Sequence, residues 1–243
     1  LNELLDPVAA YDRVAPQFAR LSDERRAYLD AIERLVVSGI PPGSRSLLDV
    51  GAGDGTRAGR IARVRGIEQV VLVEPSAAMR SQCPPKATVW ALRAEELGSR
   101  EGSFDVITCL WNVIGHIFPV DARVEALRQF RRLLSPPGRI FLDVNHRYNA
   151  CQYGFGATAG RFLHDVVVPG EVHGDVTVAW DVGGARCATS GHVFTEREFR
   201  ALACAAGLCV EKRFVVDYAC GERRRWSYEG NLMFVLRRTP GAG

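Results

Sequence analysis

The stretch Leu47-Leu48-Asp49-Val50-Gly51-Ala52-Gly53-Asp54-Gly55-Thr56 constrains the fold of this chain more than any other. An apolar run ends in an acid, glycines follow at alternate positions, and a helical pattern begins at once. This is a strand, a tight turn and a helix N-terminus. Glycine tolerates positive φ and lets a ligand approach the backbone closely. The helix start adds unpaired N–H groups and a partial positive charge. Nucleotide-like ligands sit at such turns, beyond the carboxyl end of the first strand of a doubly wound sheet.

The spacing is not that of a dinucleotide fingerprint, G-x-G-x-x-G. Gly51 and Gly53 fit it, but Thr56 stands where the third glycine would be, and the glycine falls at Gly55. A second buried-strand run, Val70-Val71-Leu72-Val73, ends in Glu74-Pro75, with Glu74 23 residues beyond Gly51 (74 − 51). An acid at that offset can accept both hydroxyls of a ribose. It can also merely cap the next helix.

D-x-G-x-G-x-G followed by this acid resembles motifs I and II of the class I S-adenosylmethionine (SAM) dependent methyltransferases. The resemblance covers about residues 11–238 and is strongest between Leu47 and Val144. It implies SAM as cofactor, with S-adenosylhomocysteine as product. It also implies an α/β fold: a doubly wound, Rossmann-like seven-stranded sheet with an antiparallel last strand. Asp49, Gly51, Ala52, Gly53, Glu74, Pro75, Met79 and Leu110 are the cofactor residues it implies. The family usually has an acid before Ala-Glu to accept from the adenine amino group; here Arg93-Ala94-Glu95 has an arginine in that place. Ala94 N–H can still meet the ring, Glu95 can take over the acid's part, and Arg93 can stack on the adenine face. "YDRVAPQF" resembles the lid helix of small-molecule methyltransferases, in which a tyrosine such as Tyr11 reaches the methionine end of SAM; Tyr11 is equally readable as a core aromatic.

Length and composition set bounds. With 243 residues, 47% of them hydrophobic, the chain can form one large α/β domain with an insertion. The single domain is read as 1–243, with lid helices at 1–40 and a substrate cap at about 146–193. Tyr11, Val14, Phe18 and Leu21, then Tyr28, Ile32, Leu35 and Val36, predict two amphipathic helices before the first strand. In the cap, Phe162–Pro169, Asp175–Val182 and Ala185–Val193 read as short antiparallel strands. A net charge of +3 gives no strong pull toward nucleic acid. No apolar run is long enough to span a membrane and no signal peptide is visible. The chain starts with Leu, so a trimmed start is expected. Seven cysteines without CxxC or zinc spacing fit a reduced, cytoplasmic protein, either monomer or homodimer, without a metal site.

The catalytic candidates lie at the strand ends that face the crevice. Leu110-Trp111-Asn112 … Gly115-His116 is similar to the corresponding region of glycine N-methyltransferase-like enzymes. His116 can serve as general base, with an ordinary pKa near ~6.5, or bond a backbone carbonyl at a helix start; Asn112 can be a turn former. Asn145-His146-Arg147-Tyr148-Asn149 offers His146 as a second base and Arg147 as a carboxylate clamp; a solvated loop is the other reading. Trp111, Asn112, Arg147 and Tyr148 are the substrate-contact candidates. His164, His173 and His192 fall in the cap, with no acid pairing to suggest a metal. Arg223-Arg224-Arg225-Trp226 raises RNA binding, against the balanced charge. The function expected is methyl transfer to O or N of a small metabolite. A SAM-binding regulator without turnover stays open, and so, more remotely, does an RNA methyltransferase.

Overall fold

The computed structural model describes residues 4–168 and 170–240. A short strand β1 (Leu4–Leu5) leads into helices α1 (Pro7–Val14), α2 (Phe18–Glu24) and α3 (Arg26–Gly39). Then come β2 (Ser46–Val50), α4 (Thr56–Arg65), β3 (Gln69–Val73), α5 (Ala77–Arg80), β4 (Thr88–Trp90), β5 (Phe104–Cys109), α6 (Val120–Leu133) and β6 (Leu134–Val144). The second part holds α7 (Ala150–Tyr153), α8 (Phe155–Val167), β7 (Asp175–Val182), β8 (Ala185–His192), α9 (Glu196–Ala205), β9 (Leu208–Val216), β10 (Arg223–Arg224) and β11 (Asn231–Arg238).

The main sheet runs in the order β10-β9-β11-β6-β5-β2-β3-β4. β2 is parallel to both β3 and β5, and all five of its residues are buried, as a central parallel strand requires. β11 is antiparallel to β6 and to β9, so the expected antiparallel last strand is present. The eighth strand is the two-residue β10 at the edge. One core cluster, with Phe104, Phe130, Phe199 and Phe234, packs α6 and α9 on one face. The other, with Tyr28, Ile32, Ile61 and Phe141, packs α3 and α4 on the opposite face.

The N-terminal segment differs from expectation. Three helices stand before the first strand of the main sheet, not two, because the run containing Tyr11 and Phe18 breaks into a 3-10 turn at Ala15–Gln17. Pro16 sits in that turn and has no N–H to continue an α-helix. Residues 1–3 of the expected lid lie outside the described residues.

The cap also differs: Phe162–Val168 belongs largely to a helix, α8, instead of a strand. Its apolar residues recur at Phe155, Ala159, Phe162, Leu163, Val166 and Val167, a helical period that the Val-Val-Val run obscured. Pro169, the end of the expected strand, lies outside the described residues. The other two strands are present as the hairpin β7–β8, whose Gly183-Gly184 turn has φ of +58° and +83° at its two positions. Positive φ at both centres is the geometry that suits two-residue hairpin loops. β1 adds to β8 in parallel, giving a second, three-stranded sheet.

The stacking of Phe234 on Phe199, with ring centroids 4.2 Å apart at the centre of one core face, generates a stability prediction. Phe234→Ala leaves a cavity where the side chain is fully buried, and should cost about 3–5 kcal/mol in urea unfolding. A loss below about 1 kcal/mol would show that this face does not carry the fold.

Candidate functional site

The glycine turn after β2 is stitched to the end of β3. Gly51 N–H and Ala52 N–H both donate to Val73 O, at 2.8 and 3.1 Å, and Gly53 N–H donates to Glu74 Oε2 at 2.9 Å. Ser76 N–H donates to the other Glu74 oxygen, also at 2.9 Å. Gly51, Gly53 and Gly55 have φ of +69°, +61° and +74°. A Cβ on Gly53 would lie 3.0 Å from Phe18 and 3.2 Å from Met79, and one on Gly51 would collide with Val113 at 2.4 Å. The turn therefore excludes side chains for two reasons, conformation and space.

In front of this turn lies a cavity of about 370 Å³, within the range of small-ligand sites. Of the cofactor candidates, Tyr11, Gly51, Ala52, Gly53, Glu74, Pro75, Met79, Arg93, Ala94, Glu95 and Leu110 line it. Asp49 does not. It is buried under the turn, accepts a 2.6 Å bond from Thr108 Oγ1, and leaves Oδ2 without a partner. Burial raises the Asp49 carboxyl above its ordinary range. Burial also pushes Glu74 up to about 7, against the pull of its two backbone N–H donors.

Arg93 lines the cavity but does not stand free. Its guanidinium reaches Asp6, the N-cap of α1, at 2.7 Å. α1 is held again by Asp12, which accepts from Ser76 Oγ at 2.5 Å and from Ala78 N–H at 3.0 Å. The N-terminal segment thus forms one wall of the cavity through Pro7, Tyr11, Phe18 and Ser22.

Of the catalytic candidates, His116 is on the cavity and His146 is not. His116 Nδ1 lies 3.0 Å from Ser190 O in β8. A carbonyl only accepts, so the proton sits on Nδ1 and Nε2 carries the lone pair. Tyr11 Oη is 3.5 Å from Nε2, and the two rings meet edge to face at 5.6 Å. Burial lowers the His116 pKa below 6.5, with the Ser190 bond opposing it. The ordinary-pKa expectation is corrected accordingly: the imidazole is neutral to lower pH than a free one. Tyr11 is shifted far upward, by burial first and the Glu74 charge second, and keeps its proton. The His146 ring is buried beside Tyr148, near Glu196 and Arg213, and burial takes it down to about 4.

The remaining substrate candidates divide in the same way. Trp111 lines the cavity, 5.7 Å from Phe18, with its Nε1 donating to Tyr218 Oη at 3.2 Å. Asn112 is a clasp: its Oδ1 accepts from Asn145 N–H at 2.9 Å and its Nδ2 donates to His192 O at 3.2 Å. Arg147 is not free to clamp a ligand. Its Nε and Nη2 hold Asp165 at 2.5 and 2.6 Å, and Tyr148 Oη donates to the same carboxylate at 2.7 Å. Although burial works the other way, these partners hold the Asp165 carboxyl well below its usual range.

Acid pairing, absent from the sequence reading of the cap histidines, is present in space. His192 is fully buried between Asp175 and Glu198, at 2.6 Å from each. His164 and His173 flank Asp165, with one ligand atom of each residue within 4.8 Å of the others. The guanidinium already on Asp165 opposes a cation there.

The sequence reading missed Arg57. It lies in the first turn of α4, lines the cavity, and has a buried Nε without a hydrogen-bond partner. Its charge favours the ionised forms of Asp49 and Asp143, but it makes no hydrogen bond or ion pair among the described residues. Arg26, Arg60 and Arg93, the other cavity arginines, are paired with Asp23, Glu33 and Asp6. Arg57 differs from them only in lacking a carboxylate partner among the described residues, a property set by residues distant in sequence.

Comparison with known proteins agrees with this geometry. Residues 20–213 match the family described as a methyltransferase domain. The sugar N-methyltransferase KedS8 from a Streptoalloteichus species superposes with a TM-score of 0.63 at 19% identity, over 98% of this chain and 96% of that one. SAM-bound CalS10, an amino pentose methyltransferase from Micromonospora echinaspora, gives 0.54 at 18% identity, over 88% and 91%. The polyamine aminopropyltransferase of Mycobacterium tuberculosis is 38% identical over 84 residues, which is 28% of this chain and only 16% of that protein. No helix among the described residues is long and apolar enough to cross a membrane. With its Gly51–Gly55 turn, the Glu74 acid and a match over four-fifths of its length, the chain belongs to the methyltransferase-domain family, on a Rossmann-like fold that it shares with SAM-bound CalS10.

Proposed function

We propose that this enzyme methylates an O or N atom of a small-molecule acceptor. The observation that carries the reading is His116 on the cavity wall, its Nδ1 proton fixed on Ser190 O and its basic Nε2 beside Tyr11 Oη, with Phe18 and Trp111 lining the same cavity. The cavity lies between α1, the glycine turn and His116, an enclosure suited to a metabolite. Two of the structural neighbours are named for the methylation of sugars or amino sugars, which agrees with such an acceptor. Within the 1–243 domain, residues 4–40 serve as the lid over the cofactor and residues 146–193 as the cap on the acceptor side.

Bound in this cavity, SAM supplies a methyl group on a sulfonium, a leaving group that needs no protonation. The protein's part is to position the acceptor and exclude water, which can contribute about 7–11 kcal/mol. Glu74 takes the ribose diol, since each of its oxygens uses one lone pair on a backbone N–H and keeps another. Gly51 to Gly53 admit the ligand to the backbone, Met79 and Leu110 pack on it, and Ala94 N–H and Glu95 face the adenine. Arg57 takes the α-carboxylate of the methionine end as a charge-assisted pair. His116 Nε2 accepts the acceptor's proton, and Tyr11, Trp111 and Phe18 hold the acceptor by their ring faces.

Three measurements test this assignment. His116→Ala should lower turnover about a hundredfold with SAM affinity nearly unchanged. Because burial lowers the His116 pKa, the rise of wild-type turnover with pH should be centred below 6.5. Full activity in the variant would make catalysis a matter of positioning alone.

Glu74 titrates near 7 in the free protein, and two hydroxyl donors favour its charged form. SAM affinity should therefore climb up to about tenfold per pH unit below 7 and level off above it, with proton release seen by calorimetry in buffers of different ionisation heat. Glu74→Gln should flatten the profile; a flat wild-type profile would remove Glu74 from the ribose. The same shift fixes the sign for stability. The unfolded carboxyl ionises from about 4.5 and the folded one near 7, so the ligand-free protein loses stability as pH rises between them.

Arg57→Ala should weaken SAM about ten- to a hundredfold while leaving decarboxylated SAM unaffected. An equal loss for both ligands would return Arg57 to a structural role.

A further inference from the structure

Helix α8 is built inside out. Three of its polar residues face the protein: Asp165 holds Arg147 and Tyr148, Arg161 lies 4.4 Å over the Tyr153 ring and donates to Arg147 O at 3.4 Å, and Thr158 is buried, while His164 is exposed on the opposite side from the apolar face. Its apolar residues face outward. Phe155, Phe162, Leu163, Val166 and Val167 are 78, 53, 63, 65 and 76% exposed, and Val168 extends the face at 49%. At helical periodicity Phe155, Phe162, Leu163, Val166, Val167 and the exposed Ala159 fall on one side, and Val168 follows the last turn. A surface helix in water normally has the opposite arrangement.

The exposed area is large. Phenylalanine alone presents about 150–250 Å², and the whole face comes to roughly 700 Å². The largest apolar patch on a monomer is about 300–600 Å², whereas each side of a standard protein interface buries about 800 Å². We infer that a second copy of this chain covers this face, with the two α8 helices packed antiparallel across a two-fold axis.

Four observations select that occupant. The face carries no charged side chain, so nothing in it recognises a partner by charge. A two-fold pairing buries the same patch on both copies and closes the assembly. Gly156 and Gly160 flank the face with open space around them, which lets a second backbone approach. A membrane-surface helix, by contrast, needs Lys and Arg directed to the lipid, and Arg161 of α8 is turned inward onto Tyr153.

The test is the mass of the full chain in solution. By sedimentation velocity at micromolar concentration, the wild type should run at twice its 26.7 kDa chain mass. Leu163→Glu combined with Val166→Glu changes only exposed positions and should give a monomer with unchanged circular dichroism and unchanged SAM affinity. Ala159→Cys should form an interchain disulfide under mild oxidation, well above the wild type with its exposed Cys151, Cys204 and Cys220. A monomeric wild type, a double variant that stays dimeric, or a wild-type monomer that floats with phosphatidylglycerol vesicles would each overturn the inference.

Discussion

The buried carboxylate of Glu74 is the joint on which this structure depends. It receives Gly53 N–H from one crossover and Ser76 N–H from the next, so a single side chain fixes the β2 turn against the β3 turn. Val73 O adds two more bonds from Gly51 and Ala52. The N-terminal helices are anchored to the same place, since Asp12 grips Ser76 and Ala78. An unpaired charge in such a position would be costly. The protein meets that cost in part with the backbone donors, and burial lifts the carboxyl to about 7. The free site is thus poised to ionise when further donors arrive.

A second buried carboxylate frames the acceptor side. Asp143, at the end of β6, accepts from Tyr28 Oη at 2.6 Å and Trp111 N–H at 2.5 Å. Trp111 and Asn112 both hold positive φ, +66° and +59°, a conformation uncommon for such residues and found where the surroundings over-determine it. Here the surroundings are explicit. Asp143 holds the Trp111 backbone, the Asn112 side chain bridges Asn145 and His192, and a Cβ at Gly115 would lie 2.3 Å from Asn112 Nδ2. The kink turns Trp111 and His116 into the cavity.

The parallel half of the fold was readable because its signals are local. Apolar runs leading to Val50, Val73 and Cys109, with a glycine turn after the first, define the crossover order, and the family resemblance they carry implies most of the residues that line the cavity. What could not be read depends on partners distant in sequence. Arg147 reads as a ligand clamp in sequence but is held by Asp165 in space, and His146 reads as a counterpart of His116 but lies off the cavity, beside Tyr148. Arg57 has no motif; it is notable only because every other cavity arginine has a carboxylate. α8 was misread because β-branched residues dominate its end, while the contacts that keep it helical, Asp165 and Arg161 to the strand end beyond β6, are tertiary.

The cap and the chemistry are coupled through one carbonyl. Ser190 O belongs to β8, and β8 is held by β7 on one side and by β1, the start of the N-terminal segment, on the other. That carbonyl decides which His116 nitrogen carries the proton, and hence which carries the lone pair. The same N-terminal segment supplies Tyr11, whose hydroxyl contacts Nε2. The wall of the cavity and the tautomer of His116 therefore rest on the same small sheet. A change in the second sheet that leaves the glycine turn and Glu74 intact still alters which His116 nitrogen carries the proton. The antiparallel insertion, which contains no part of the glycine-turn motif, is thereby tied to the wall of the cavity.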